Sequence, residues 1–212
     1  MAEAADLTAA LVAVAAVRAR FSAASDDELL GDLAVVEQMG RVVDGLRVAA
    51  AAQVEQRSRP ILGSASLAFR SGARDGVELV QQVARIGHGE AGRRVGLGSA
   101  IAPRTGLLGE PLPGRLPAVT DAVMTGRIGL ESARVIVNTW KPMRLRVDGD
   151  RLAGMVESLI EYAQRTDTEA VRDVAGMWSL AIDPRAPSRG SGRNGASAPC
   201  GSARPCPTAR PG

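Results

Sequence analysis

The sequence LPAVTDAVMTGRIGLESARVIVNTW, residues 116–140, decides the fold class. Apolar residues recur with helical spacing from Leu116 to Met124, and Gly126 follows as a residue that accepts positive φ at a helix end. A second helical pattern begins at Leu130. Two short helices joined by a tight glycine turn are typical of a helix-turn-helix.

The composition of the whole chain also favours helices. Aromatic residues make up 2% of the 212 residues, so the core has to be aliphatic, which suits packing of helix on helix better than a sheet. We predict an all-α fold with essentially no sheet. A long N-terminal helical hairpin would occupy residues 1–59, and residues 60–184 would form a bundle of short helices with helix-turn-helix-like units.

The predicted hairpin rests on a capping motif and a seven-residue repeat. Ser25-Asp26-Asp27-Glu28 matches a capping box, so a helix should run from there to about Arg57. Its apolar residues repeat every seven positions at Leu29, Val36, Val43 and Ala50, with Leu33, Leu46 and Val54 on the same side. This coiled-coil-like face predicts packing against the Ala-rich helix of residues 4–24, or self-association through residues 25–57.

Two further helix boundaries follow from local sequence. Lys141-Pro142 should end the helix that begins at Leu130, because a proline disfavours helical geometry in the residue before it. Thr166-Asp167-Thr168-Glu169 matches a second capping box and should start the last helix.

The charge of the chain is concentrated in its last residues. From residue 186 onwards there are four arginines, no acid and no large apolar residue, so we predict that residues 185–212 form a disordered tail. Removing those four from the 26 basic residues leaves 22 against 23 acidic residues. The remaining body is close to neutral, which gives no overall electrostatic argument for binding nucleic acid.

The sequence predicts a cytoplasmic protein without a membrane segment. The apolar run from Leu7 to Val17 is too short to span a bilayer and follows acidic rather than basic residues. Cys200 and Cys206 lie in the tail without CxxC spacing, which indicates reduced thiols.

A weak internal repeat marks the candidate DNA contacts. Arg-Ile-Gly occurs at residues 85–87 and 127–129, and each copy is followed by a glutamate and an alanine at a helix start. The two helices could present Arg93, Arg94 and Arg134 to a DNA groove. Alternatively, two helical hairpins of a bundle use the same turn.

No catalytic, cofactor-binding or metal-binding residue is predicted. His88 is the single histidine, and no nucleophile is paired with it in the sequence. Residues 190–195 spell GxGxxG, but they lie in the tail, outside the strand–helix context that a phosphate site requires. The basic residues Lys141, Arg144 and Arg146 fit a solvated loop better than a phosphate clamp. We therefore expect no cofactor and infer no small-molecule substrate.

Four segments carry a family resemblance. Residues 25–57, 86–101, 116–138 and 151–184 resemble the actinobacterial domain-of-unknown-function 222 family, also called the 13E12 repeat family, in the order that the family has them. The series L-P-A, G-R-I-G and S-A-R-V-I is the most specific part. The resemblance implies a helical region of the kind commonly found ahead of an HNH endonuclease domain.

The resemblance does not extend to a nuclease. An HNH domain needs a histidine base and further metal ligands, and none follows Asp183. The acid-free tail there is what a shifted reading frame would produce, which implies a truncated member of the family. The sequence thus predicts a non-catalytic helical module that is associated with DNA. The alternative is a helical protein-interaction or oligomerisation module with no role in nucleic acid binding.

Overall fold

The computed structural model describes residues 9, 12–105 and 110–182, and most of them are helical. In chain order the elements are α1 (Asp26–Arg57), a 3₁₀ helix (Pro60–Ala65), α2 (Leu67–Arg70), α3 (Gly76–Ala84), α4 (His88–Ile101), β1 (Arg104–Thr105), β2 (Pro111–Leu112), α5 (Pro117–Met124), α6 (Leu130–Met143), α7 (Gly149–Ala163) and α8 (Thr168–Ile182). The predicted all-α fold is confirmed. Its one departure among the described residues is the two-residue antiparallel pair of β1 and β2.

The predicted start of α1 is confirmed in detail. The Ser25 backbone N–H donates to Glu28 Oε2 over 2.8 Å, and the Glu28 backbone N–H donates to the Ser25 hydroxyl oxygen. The hydrogen bond from the Ser25 backbone, with a second from its hydroxyl, lowers the pKa of the Glu28 carboxyl. Three acidic residues in the first turn also suit the positive end of the helix dipole.

The C-terminal half of α1 packs into the bundle at very short range. A Cβ built on Gly98 of α4 would lie 2.8 Å from both the Val48 carbonyl oxygen and Ala52 Cβ. A Cβ on Gly45 would similarly lie 2.9 Å from the Val123 carbonyl oxygen of α5. Only glycine at these two positions allows α1 to approach α4 and α5 so closely.

The main core lies among α5, α6, α7 and α8 and is aliphatic, as the composition predicts. Its fully buried side chains include Ile128, Ile136, Met143, Met155 and Leu159. Val48 of α1 and Leu97 of α4 join the same core. The C-terminal half of α1 therefore packs into the same core as the helices of residues 60–184, which were predicted to form the bundle.

One predicted helix end and one predicted capping residue are wrong, although the last helix starts and ends where the sequence predicts. Helix α6 continues through Pro142 to Met143, because a proline in the last turn removes only one helical hydrogen bond while Met143 is buried. Helix α8 is capped by Asp167, whose Oδ1 accepts from the Ala170 backbone N–H at 2.9 Å. The Thr166 hydroxyl instead donates backwards to the Tyr162 carbonyl oxygen.

Of the predicted hairpin, α1 is fully described but the helix before it only in part. Residues 12–17 are helical, residues 18–23 form turns, and Arg20 makes a 3.2 Å ion pair with Asp32 of α1. The rest of the first helix lies outside the described residues, and so does the predicted tail at residues 185–212. The hairpin and the disordered tail both stay predictions.

The close contact of α1 with α4 gives a prediction on stability. Replacing Gly98→Ala should lower the free energy of unfolding by about 1–3 kcal/mol, because the added methyl group forces the two backbones apart. A Cβ on Gly96 of the same helix meets nothing within 4 Å. Gly96→Ala should therefore be neutral or stabilise by up to about 1 kcal/mol. Urea denaturation measures both, and equal effects would contradict the close packing.

Candidate functional site

The two Arg-Ile-Gly turns have a common structural basis. Gly87 and Gly129 are the N-caps of α4 and α6, both with extended backbone and no side-chain cap. The isoleucine before each glycine faces inward: Ile128 is buried in the main core, and Ile86 packs against a smaller cluster around Ala91. Each copy of the repeat therefore places an inward-facing isoleucine directly before the N-terminus of a helix.

Helices α4 and α6 begin close together, and Glu90 links them. Its carboxylate pairs with Arg93 and Arg94 at 2.9 Å each, and with Arg134 of α6 at 3.7 Å. Arg134 also pairs with Glu131 on its own helix. The structure thus brings the three predicted DNA-contact residues into one cluster, here called the Glu90 cluster: Glu90, Arg93, Arg94, Glu131 and Arg134.

The arginines of the Glu90 cluster differ in exposure. The side chains of Arg94 and Arg134 are only 16% and 13% exposed, whereas that of Arg93 is 58% exposed. Burial of Glu90 raises its pKa, but hydrogen bonds from Arg94 and Arg93 and the charge of Arg134 outweigh this and hold the pKa below its ordinary 4.5. The pair of Glu90 with Arg134 therefore joins α4 to α6, while Arg93 and Arg94 pair with Glu90 within α4.

The Glu90 cluster borders a polar cleft of about 670 Å³. Five arginines and five acids line it: Arg41, Arg94, Arg127, Arg134, Arg165, Glu37, Asp44, Glu90, Glu131 and Asp167. Several of these charges are engaged within the fold, since Arg41 donates to the Gly126 carbonyl oxygen at 2.8 Å and Arg127 pairs with Asp121. Balanced charge of this kind does not concentrate phosphate groups.

The other residues considered in the sequence lie apart from this cleft. His88 Nδ1 lies 3.3 Å from Gln81 Oε1 at the start of α4. The Arg144 guanidinium lies 5.7 Å from the centre of the Trp140 ring, near the end of α6. The GxGxxG segment at residues 190–195 falls outside the described residues. Within the described ranges, no three His, Cys, Asp or Glu side chains come close enough to hold a metal ion.

One feature with functional potential lies elsewhere, on the N-terminal part of α1. Six apolar side chains share one side of this helix and form the α1 stripe: Leu29, Leu33, Val36, Met39, Val43 and Leu46. Val36 is half-buried, while Leu33, Val43 and Leu46 remain 51%, 44% and 53% exposed. The seven-residue repeat predicted this apolar face. It did not predict the exposure of the face, because one of the two predicted arrangements packed it against the helix of residues 4–24.

Comparison of the chain with known protein families, curated proteins and solved structures found no match. Among the described helices, none is long and apolar enough to cross a membrane.

The lowered pKa of Glu90 makes a pH-dependent prediction. An ionised Glu90 stabilises the fold, so its contribution is present above its ordinary pKa of 4.5 and is lost as the pH falls through the lower folded value. Glu90→Gln should reduce the free energy of unfolding at pH 7 by about 1–2 kcal/mol. This deficit should shrink steadily below pH 4.5.

Glu131→Gln is the matched control for this experiment. The Glu131 side chain is 65% exposed and pairs with Arg134 alone among the described residues, so its loss should cost less than about 0.5 kcal/mol. Urea denaturation at pH 7 and at successively lower pH distinguishes the two variants. A deficit for Glu90→Gln that does not change with pH would contradict the assigned role.

Proposed function

We propose that this chain is a non-catalytic helical module that associates with another protein through the α1 stripe. The observation that carries the proposal is a row of exposed apolar side chains on a well-capped helix. Isolated exposed apolar residues are normal in a folded protein, but a contiguous row at heptad spacing is typical of a surface that binds another helix. The stripe thus favours the protein-interaction alternative over DNA association.

The position of the stripe supports this proposal. Helical geometry puts it on the side of α1 opposite Val48 and Ala52, which are buried in the bundle. The bundle therefore holds α1 in place without covering the stripe. A helix held in this way loses little conformational entropy when a second helix docks on it.

DNA association is the competing proposal, and the Glu90 cluster is the feature that would serve it. Two of its three arginines are mostly buried and ion-paired, and the adjoining cleft has as many acids as arginines. Arg93 alone of the three offers a largely exposed guanidinium. Such a surface supplies at most a single phosphate contact, which is too little for stable binding at physiological salt.

The family resemblance is compatible with either proposal. It concerns a helical region that accompanies a nuclease domain and does not itself carry the chemistry. We propose, on the same four sequence segments, that the chain belongs to the 13E12 repeat family and that its role is to support association rather than catalysis.

Photo-crosslinking tests protein association through the stripe. With p-benzoylphenylalanine at Val43, irradiation of cells that produce the protein should give an adduct of one defined mass. Leu46→Glu in the same chain should abolish it, because a charge cannot be buried in an apolar contact without a large penalty. Val83 of α3 is 77% exposed but lies outside the stripe, so the same probe there should give no adduct. Equal adducts at Val43 and Val83 would contradict the proposal.

A salt series with duplex DNA tests the competing proposal. Arg93→Ala should leave the dependence of affinity on salt unchanged, as should Arg172→Ala on an exposed part of α8. Both variants keep the arginines of the tail, so any binding by the tail contributes equally. If Arg93→Ala alone lowers the slope of log affinity against log salt by about one unit, the Glu90 cluster contacts DNA.

A further inference from the structure

We infer that the α1 stripe binds the same stripe of a second copy of this chain, with the two helices antiparallel and Leu29 opposite Leu46 of the second copy. The inference rests on the proposed function, because it names the occupant of the same surface. It follows from three properties of α1: the heptad positions of its apolar residues, the position of one glycine and the distribution of charge.

The heptad positions define an antiparallel register. Leu29, Val36 and Val43 take position a, and Met39 and Leu46 take position d. In an antiparallel pair, position a of one helix meets position d of the other. Placing Leu29 against Leu46 of the second copy also places Val36 against Met39, so these apolar layers match on both sides of the twofold axis. Between them Asp32, the remaining d position, lies opposite Val43 of the second copy, beside its own ion-pair partner Arg20.

Gly40 fits this register as the partner of a large side chain. Antiparallel helices bring their e positions together, and Leu33 and Gly40 both take position e, so Leu33 of each copy faces Gly40 of the other. A Cβ on Gly40 would meet nothing within 4 Å inside the chain. Glycine inside a helix costs about 1 kcal/mol relative to alanine, and nothing within the described fold requires it here. In the proposed dimer, glycine at position 40 leaves room for Leu33 of the second copy.

The charges of α1 complement each other in the antiparallel arrangement. Its first third carries four acids and no base, namely Asp26, Asp27, Glu28 and Asp32, whereas its second half is neutral, with Asp44 and Glu55 against Arg47 and Arg57. The proposed register brings Asp26 opposite Arg47 of the second copy, again through two e positions. A parallel pair would instead place the acidic ends side by side, which is unfavourable.

The described residues before α1 leave much of the α1 stripe exposed. Among residues 12–17 only Val17 is half-buried, and Val12 and Val14 are 66% and 41% exposed. Arg20 contacts Asp32 at one end of the stripe, beyond the central layer of Val36 and Met39. In that central layer Met39 is 38% exposed and Val36 is half-buried in the single chain.

Sedimentation equilibrium of the full chain tests the inference. Cys200→Ser and Cys206→Ser should be present throughout, so that oxidation of the tail cannot link two chains. We expect a reversible dimer. Gly40→Gln should raise its Kd at least tenfold, because the added side chain occupies the space for Leu33. Gly31→Gln is the matched control: Gly31 also has nothing within 4 Å of a Cβ, but it takes position c, away from the stripe. It should leave the Kd unchanged.

Cysteine pairs test the orientation. In the proposed register Leu29 lies about 25 Å along the axis from Leu29 of the second copy, at 1.5 Å per residue. Leu29→Cys alone should therefore give no linked dimer on oxidation, whereas Leu29→Cys with Leu46→Cys should give one. A linked dimer from Leu29→Cys alone would show a parallel pair and overturn the inference.

The remaining outcomes also decide the question. A chain that stays monomeric at high concentration overturns the inference, as does a dimer that Gly40→Gln and Gly31→Gln affect equally. In either case an adduct of Val43 with a different protein would leave the proposed function standing. A monomeric chain that also gives no adduct at Val43 would overturn both.

Discussion

The close approach of α1 to α4 and α5 fixes how the N-terminal helix packs against the bundle. Gly98 and Gly45 have no side chain where Val48, Ala52 and Val123 need the space. The C-terminal half of α1 is packed on more than one side, because Val48 joins the main core and Val54 packs against the two smaller clusters. The exposed side chains of the α1 stripe lie nearer the N-terminus of the helix, where the described residues pack less closely against it.

The Glu90 cluster shows how a sequence motif can have a structural rather than a recognition role. Arginines after each Arg-Ile-Gly turn suggested two helices directed at DNA. In the structure the two helices begin next to each other, and Glu90 of one neutralises guanidiniums of both. A carboxylate held below its ordinary pKa between buried arginines stabilises the junction of α4 and α6. The charge that remains accessible is that of Arg93.

The proposed association through α1 connects these features. A body with nearly equal numbers of acids and bases does not attract nucleic acid strongly, so its specific contacts depend on shape and apolar surface instead. On α1 those contacts follow a heptad pattern, and the acidic residues are concentrated at the N-terminal end of the helix. A second copy of the same helix satisfies both patterns at once, which is why we favour it as the occupant.

The helical class and most helix positions could be predicted from the sequence, because capping residues, glycine turns and apolar periodicity act over a few neighbouring residues. Ser25 and Glu28 are an example: their mutual hydrogen bonds could be predicted from spacing alone. The inclusion of Pro142 in α6 could not be predicted in this way, since burial of Met143 outweighs a local preference. The pairing of Glu90 with both Arg94 and Arg134, and the exposure of the α1 stripe among the described residues, could not be predicted either, because both depend on contacts between residues far apart in the chain.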